Sequence, residues 1–190
     1  TVYKAGRYGV GPATAEALEE FGYEIDASVV PESDFGPEEG PHFRVCGAKP
    51  YWFGRSRGLL EIPMTVGFVG GLAGAGNQFY RHLKSRLGMG FHLPGIFSRL
   101  RLFERIRLTP EGQTFEELRR LTETMLTTGH RIFSFTYHSP SLEPGHTPYV
   151  RDRAELERFL ACFDRYFDYF MHEIGGRPAT PGQIKAKLAA

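Results

Sequence analysis

The run from Arg131 to Tyr137, R-I-F-S-F-T-Y, leaves a chain of 190 residues few options. Ile132, Phe133, Phe135, Thr136 and Tyr137 are β-branched or aromatic and nearly continuous, the pattern of a parallel strand covered on both faces. Ser139-Pro140 and Pro144-Gly145 then end any ladder, because proline has no amide proton to contribute and glycine favours a turn. His138 falls where the buried strand meets the loop. In α/β folds sites are built at that carboxyl edge, since the strand fixes a residue that the loop leaves accessible. His138 is therefore the first candidate for chemistry. The plainer alternative is that it caps the strand by bonding the turn that follows.

Around this run, strand and helix patterns alternate. Thr1–Ala5, Tyr23–Val30 and Leu59–Pro63 read as strands. Pro12 opens a helix over Ala13–Phe21 that Gly22 stops, with Ala15, Leu18 and Phe21 near one face. Thr114 with Glu117 forms a capping box ahead of Leu118, Leu121, Met125 and Leu126 at helical spacing. Asp152 with Glu155 predicts a second box, opening a helix whose apolar face is Leu156, Phe159, Leu160, Phe163, Phe167, Phe170 and Met171. Gly175-Gly176 closes it, and Thr180-Pro181 starts a short last helix over Ile184–Leu188. Glu104–Leu108 reads as a strand or an extended link. The expected class is α/β, one domain over residues 1–190, with parallel strands joined by right-handed helical crossovers.

Two stretches resist this scheme. Residues 31–57 form a long irregular loop rich in proline and glycine, holding Tyr51-Trp52-Phe53. Those rings serve either as a plug that pins the loop or as a platform for a sugar. Residues 65–102 contain Gly70-Gly71-Leu72-Ala73-Gly74-Ala75-Gly76, which lacks the Lys-Ser/Thr ending of a phosphate loop and reads as a surface connection. Phe79–Leu87 and Leu93–Phe103 look helical. Arg81, Lys84, Arg86, Arg99, Arg101, Arg105 and Arg107 make this zone basic, which fits the solvated side of helices; nucleic acid is not an expected partner.

Composition narrows the classes further. The balance of 23 basic and 22 acidic residues gives no field for a polyanion, and 41% apolar content is enough for a core. Sixteen Phe and nine Tyr suit either that core or a cleft that stacks on sugar rings. Cys46 and Cys162 match no metal spacing and read as free thiols, favouring a reducing compartment such as the cytoplasm. The longest uncharged stretch, Met64–Gly76, is too short to span a membrane. The chain opens on Thr1-Val2-Tyr3-Lys4, already strand-like, so further residues are expected upstream. Too few strands are visible to cover a parallel sheet, which points to a missing amino-terminal half or to self-association.

Three stretches carry a family resemblance: Tyr3-Lys4-Ala5-Gly6-Arg7-Tyr8-Gly9, Gly22-Tyr23-Glu24-Ile25-Asp26-Ala27-Ser28 and Phe133-Ser134-Phe135-Thr136-Tyr137-His138-Ser139-Pro140. With these the chain resembles, over essentially its whole length, the carboxy-terminal part of the polysaccharide deacetylases, the NodB-homology enzymes, and among them a bacterial WalW-like subgroup. The resemblance implies a portion of a distorted (β/α) barrel. It also implies metal-dependent removal of acetyl groups from N-acetylated sugars, with a divalent metal, zinc, as cofactor and a carbohydrate as partner. The family's first two motifs, an Asp-Asp pair and a His-x-x-x-His pair, do not occur here. The metal ligands are therefore absent from this chain, which is expected to be inactive alone.

By the same resemblance His138 is the general acid, Asp26 the carboxylate that partners it, and Arg7 or Lys4 the cation of the third motif. Lysine cannot reproduce a bidentate guanidinium grip. Tyr8, Tyr137, Ser139 and Trp52 are the candidate substrate contacts. The chemistry is coherent: amide hydrolysis needs an acid to protonate the departing amine, and a carboxylate beside an imidazole fixes its tautomer. The competing expectation is a non-catalytic carbohydrate-binding or scaffold protein derived from the same fold.

Overall fold

A computed structural model of the chain describes residues 1–76, 79 and 102–190. Short strands β1 (Val2–Tyr3), β2 (Ile25–Asp26), β3 (Tyr51–Phe53) and β4 (Leu59–Glu61) form one sheet in the order β1-β2-β4-β3. β1, β2 and β4 run parallel, with Tyr3 beside Asp26 and Asp26 beside Glu61, while β3 is antiparallel to β4. The expected strand over Tyr23–Val30 thus shortens to two residues. Beyond it the ladder persists as single bonds, from Ile62 N to Asp26 O (2.8 Å) and from Met64 N to Val29 O (3.0 Å).

A second, two-stranded sheet pairs β5 (Val66–Val69) with β6 (Glu104–Arg107), antiparallel. β5 lies just before the Gly70–Gly76 connection, in a stretch to which the sequence assigned no element, and valine and phenylalanine on either side of Gly67 suffice for a strand. Gly67 also lets the helix that carries Leu121 approach, since a Cβ there would stand 3.0 Å from Leu121 Cδ1. The class is α/β with parallel strands and flanking helices, and among the described residues the strands close no barrel. Nor is any described helix long and apolar enough to cross a membrane. The helices expected over Phe79–Leu87 and Leu93–Phe103 fall largely outside the described residues, as do Arg81, Lys84, Arg86, Arg99 and Arg101.

The helices form where local chemistry specifies them. α1 (Pro12–Glu20) has proline in its first turn and ends at Gly22, φ +69°. Of its expected apolar face only Leu18 is buried, and Phe21 is 75% exposed. In α2 (Phe115–Thr127) the capping box closes in both directions: Thr114 N donates to Glu117 Oε2 (2.6 Å) and Glu117 N to Thr114 Oγ1 (3.4 Å). α3 (Arg153–Asp168) is capped by Asp152, which accepts from Glu155 N (2.8 Å). The Glu155 carboxylate does not complete the predicted box but turns to Arg151 N (2.7 Å) and its guanidinium. A π turn over Tyr169–Glu173 follows, then α4 (Pro181–Ala189), again with a closed box at Thr180 and Gln183.

The main core lies between α2, α3 and the β5–β6 pair: Val69, Ile106, Leu108, Leu118, Leu121, Met125, Tyr166 and Tyr169. Tyr166 shares its hydroxyl with Thr122 (2.9 Å), so the buried polar tip is satisfied. Residues 131–137 cross this core as extended chain rather than as the expected ladder strand. Their neighbour ends early: Thr109 N turns back to Arg107 O (3.0 Å), and Pro110 has no donor. Only Thr136 N reaches it, at Leu108 O (3.1 Å), while Ser134 N is taken by Thr65 Oγ1 (2.7 Å).

Where the π turn ends, the Phe170 ring lies against bare backbone, and a Cβ at Gly176 would stand 2.2 Å from Phe170 Cε1. Phe170 is itself held by Phe133 and Tyr166. Gly176→Ala is therefore expected to cost about 1–3 kcal/mol through overpacking, read as a lowered urea midpoint. An unchanged midpoint would mean the ring swings aside freely.

Candidate functional site

After β6 the chain turns through Pro110-Glu111-Gly112, with Gly112 at φ +74°. The turn places the Glu111 side chain, 6% exposed, beneath the loop that follows residues 131–137. Three donors converge on its carboxylate. His138 N reaches Oε1 at 3.0 Å, Ser141 Oγ reaches Oε1 at 2.5 Å, and His138 Nδ1 lies 2.7 Å from Oε2. Ser141, fully buried, opens no second route for its proton, so the Thr147 hydroxyl 3.0 Å away is the donor to Ser141 Oγ. The 3₁₀ turn Ser139–Leu142 sets this geometry, with Ser141 N bonded to His138 O (2.9 Å).

Because a carboxylate only accepts, His138 carries its proton on Nδ1 and turns Nε2 outward. The imidazole is 63% exposed, on a main chain pinned by the same carboxylate. Such an arrangement fixes one ring nitrogen and leaves the other free to exchange a proton with whatever binds outside.

The carboxylate on His138 is thus Glu111, which corrects the expected pairing with Asp26. Asp26 is buried at the carboxyl end of β2, where its Oδ1 accepts from Ser28 Oγ (2.5 Å), itself the acceptor for Ala5 N (2.8 Å). Beside it, at the end of β4, stands Glu61, 1% exposed, with Oε1 accepting from Val29 N (3.0 Å). Burial and the adjacent Asp26 carboxylate push the Glu61 pKa up to about 9, so near neutrality Glu61 holds a proton. Tyr51 is raised as well, by burial and then by Glu61.

The cation near this pair is Lys4, not Arg7. Lys4 Nζ donates to Ala27 O (2.8 Å); partial removal from water lowers its pKa, offset in part by Glu61 and Asp26. Arg7 is exposed in a left-handed turn (φ +52°), and no hydrogen bond or ion pair joins it to Asp26.

The expected substrate contacts are dispersed. Tyr137, 41% exposed, adjoins His138 and meets Phe159 and Phe163 edge to face. Ser139 is exposed at the head of the 3₁₀ turn. Tyr8 stacks on Phe35 (centroids 5.4 Å apart) in a cluster with Val29, Val30 and Phe43. Trp52 packs on Ile25, Leu60 and Ile62, so of the two readings of Tyr51–Phe53 the plug is the one its packing matches. Arg105, from the basic zone, ties the long loop down through Pro31 O (2.8 Å) and Ser33 Oγ (2.7 Å).

Glu111, Ser141, Thr147 and Glu61 were not among the expected residues. Glu61 had a signal, an acid interrupting the apolar run Leu59-Leu60-Glu61-Ile62. Glu111 had a weaker one, an acid between proline and glycine at a strand end. Cys46 and Cys162 are free thiols. Among the described residues no group of three or more His, Cys, Asp or Glu is arranged to hold a metal ion, so these residues do not fit the divalent metal that the resemblance implies. Compared with models of known protein families, with curated proteins and with solved structures, the chain matches none.

Proposed function

We propose that this chain is the acid-bearing part of a polysaccharide deacetylase-like hydrolase, acting on the amide of N-acetylated sugars. In this reading His138, as the imidazolium protonated on both ring nitrogens, gives its Nε2 proton to the departing amine and is left as the neutral Nδ1–H ring, which Glu111 holds in position. The observation that supports it is the exposed imidazole fixed by a carboxylate that is itself buried and accepts three hydrogen bonds. A deacetylase-type barrel, with zinc bound by residues other than those described, belongs to the same proposal. These residues do not supply the ligands of that metal.

The chemistry left to this chain is proton transfer and orientation. An amine leaves poorly unless protonated, and a positioned acid contributes roughly 10²–10⁴-fold. The test is acetate release from N-acetylated oligosaccharides by the complete gene product, with and without a chelator, and with His138→Gln. Release that the chelator abolishes and the substitution lowers by about two orders of magnitude is expected. Sugar binding without acetate release would favour the carbohydrate-binding alternative, and an unchanged rate in His138→Gln would remove the histidine from the reaction.

A further inference from the structure

The Tyr149 ring stands on the rim of the His138 site. It rests on Gly112, where the position a Cβ would take lies 3.9 Å from both Cδ1 and Cε1 of the ring. Gly112 follows Glu111, whose carboxylate lies 2.7 Å from His138 Nδ1. One turn of backbone, Glu111-Gly112, therefore supports both the imidazole and the phenol ring. Both are open to solvent, Tyr149 at 47% and His138 at 63%. Among the described residues Tyr149 makes no ring contact with His138, so the two side chains meet different parts of one ligand.

The ring is displayed on anchored backbone. Thr147 and Val150 pair across a tight turn whose central residues are Pro148 and Tyr149, and proline fixes the first central φ at about −65°. Val150 is fully buried, and its carbonyl accepts from Gly145 N (2.9 Å). Thr147 donates to Ser141 Oγ (3.0 Å), which donates in turn to Glu111 Oε1 (2.5 Å). A tyrosine held this way offers a broad flat surface and loses little freedom when a ligand covers it.

Charge selects what that surface receives. From Ile132 to Val150 the sequence holds no Lys or Arg. The guanidinium of Arg151 is already bonded to Glu155 (3.1 Å), and the exposed acid of the loop is Glu143. Apart from the imidazolium itself, a phosphate or carboxylate ligand finds no cation on this loop to pair with. A neutral pyranose needs none, since its C–H face covers an aromatic ring while its hydroxyls stay at the wet rim.

We propose that Tyr149 is the stacking platform that holds a pyranose ring of a neutral, N-acetylated sugar chain beside His138. The proposal rests on the reading of His138 as the acid toward such a substrate.

The test is calorimetric titration of the N-acetylglucosamine tetramer into the complete gene product carrying His138→Gln, so that binding is read without turnover. Adding Tyr149→Ala is expected to weaken binding about tenfold, whereas Tyr149→Phe, which keeps the ring, stays within about twofold. Nuclear Overhauser contacts from the Tyr149 ring to sugar C–H protons are expected in the same complex, a readout that needs no substitution at Tyr149. Unchanged affinity in Tyr149→Ala overturns the proposal, and so does a bound tetramer without those contacts or a tetramer that does not bind. A galacturonic acid tetramer that binds as tightly overturns the neutral ligand class. The deacetylase reading is decided separately, by acetate release and by His138→Gln in the active protein.

Discussion

Glu111→Ala is expected to lower stability by about 2–4 kcal/mol and to bring any acetate release down to the level of His138→Gln. The side chain is 6% exposed and accepts from His138 N, His138 Nδ1 and Ser141 Oγ. Removing it leaves the His138 amide without its acceptor and the buried Ser141 hydroxyl with only Thr147, and frees the loop that aims the imidazole. Glu111→Gln separates the two roles. Its carbonyl oxygen can still receive His138 N and Ser141 Oγ, so most of the stability should return. Its amide now faces Nδ1 as a donor, which drives the neutral ring to carry its proton on Nε2 instead. Long-range ¹H–¹⁵N spectra should report that exchange of tautomer directly. In activity the Glu111→Gln, His138→Gln double variant should be no worse than His138→Gln alone, because the carboxylate acts through the ring. If the tautomer is the same in both proteins, Glu111 is packing rather than positioning.

How much of this was legible in the sequence follows from the range of each interaction. The capping boxes at Thr114 and Thr180 bond residues three apart, so the pattern alone announced both helices. His138 could be singled out because a strand-like run ends beside it. Its partner could not, since Glu111 lies 27 positions away and nothing local states which acid the fold brings there. Asp26 seemed the natural choice by resemblance, yet the parallel register seats it beside Glu61. The long loop misled for a related reason. Tyr51–Phe53 is three aromatics of strand-forming type but lies among prolines, and only its antiparallel register with β4 makes a strand of it. The outer face of α3 misled in the opposite direction, since its apolar stripe is wider than the core it meets.

The buried acid pair makes the second large prediction, a stability that falls as pH rises. In the unfolded chain Glu61 loses its proton near the ordinary value of 4.5; in the folded chain it keeps it up to about 9. Between those limits the folded state binds more protons than the unfolded one, so the free energy of unfolding drops by up to about 1.4 kcal/mol per pH unit. Below 4.5 both states are protonated and the contribution is flat; above 9 both are ionised and it is flat again. Glu61→Gln has no proton to lose. It can still accept from Val29 N through its carbonyl, and its amide can donate to Asp26. The variant should match the parent near pH 4.5 and exceed it progressively as pH rises toward 9, by several kcal/mol at pH 8. Urea unfolding at pH 5, 7 and 9 checks this. Two stability curves that stay parallel across the range would mean that Glu61 is already ionised beside Asp26, and that the strand ends carry a pair of charges rather than a held proton.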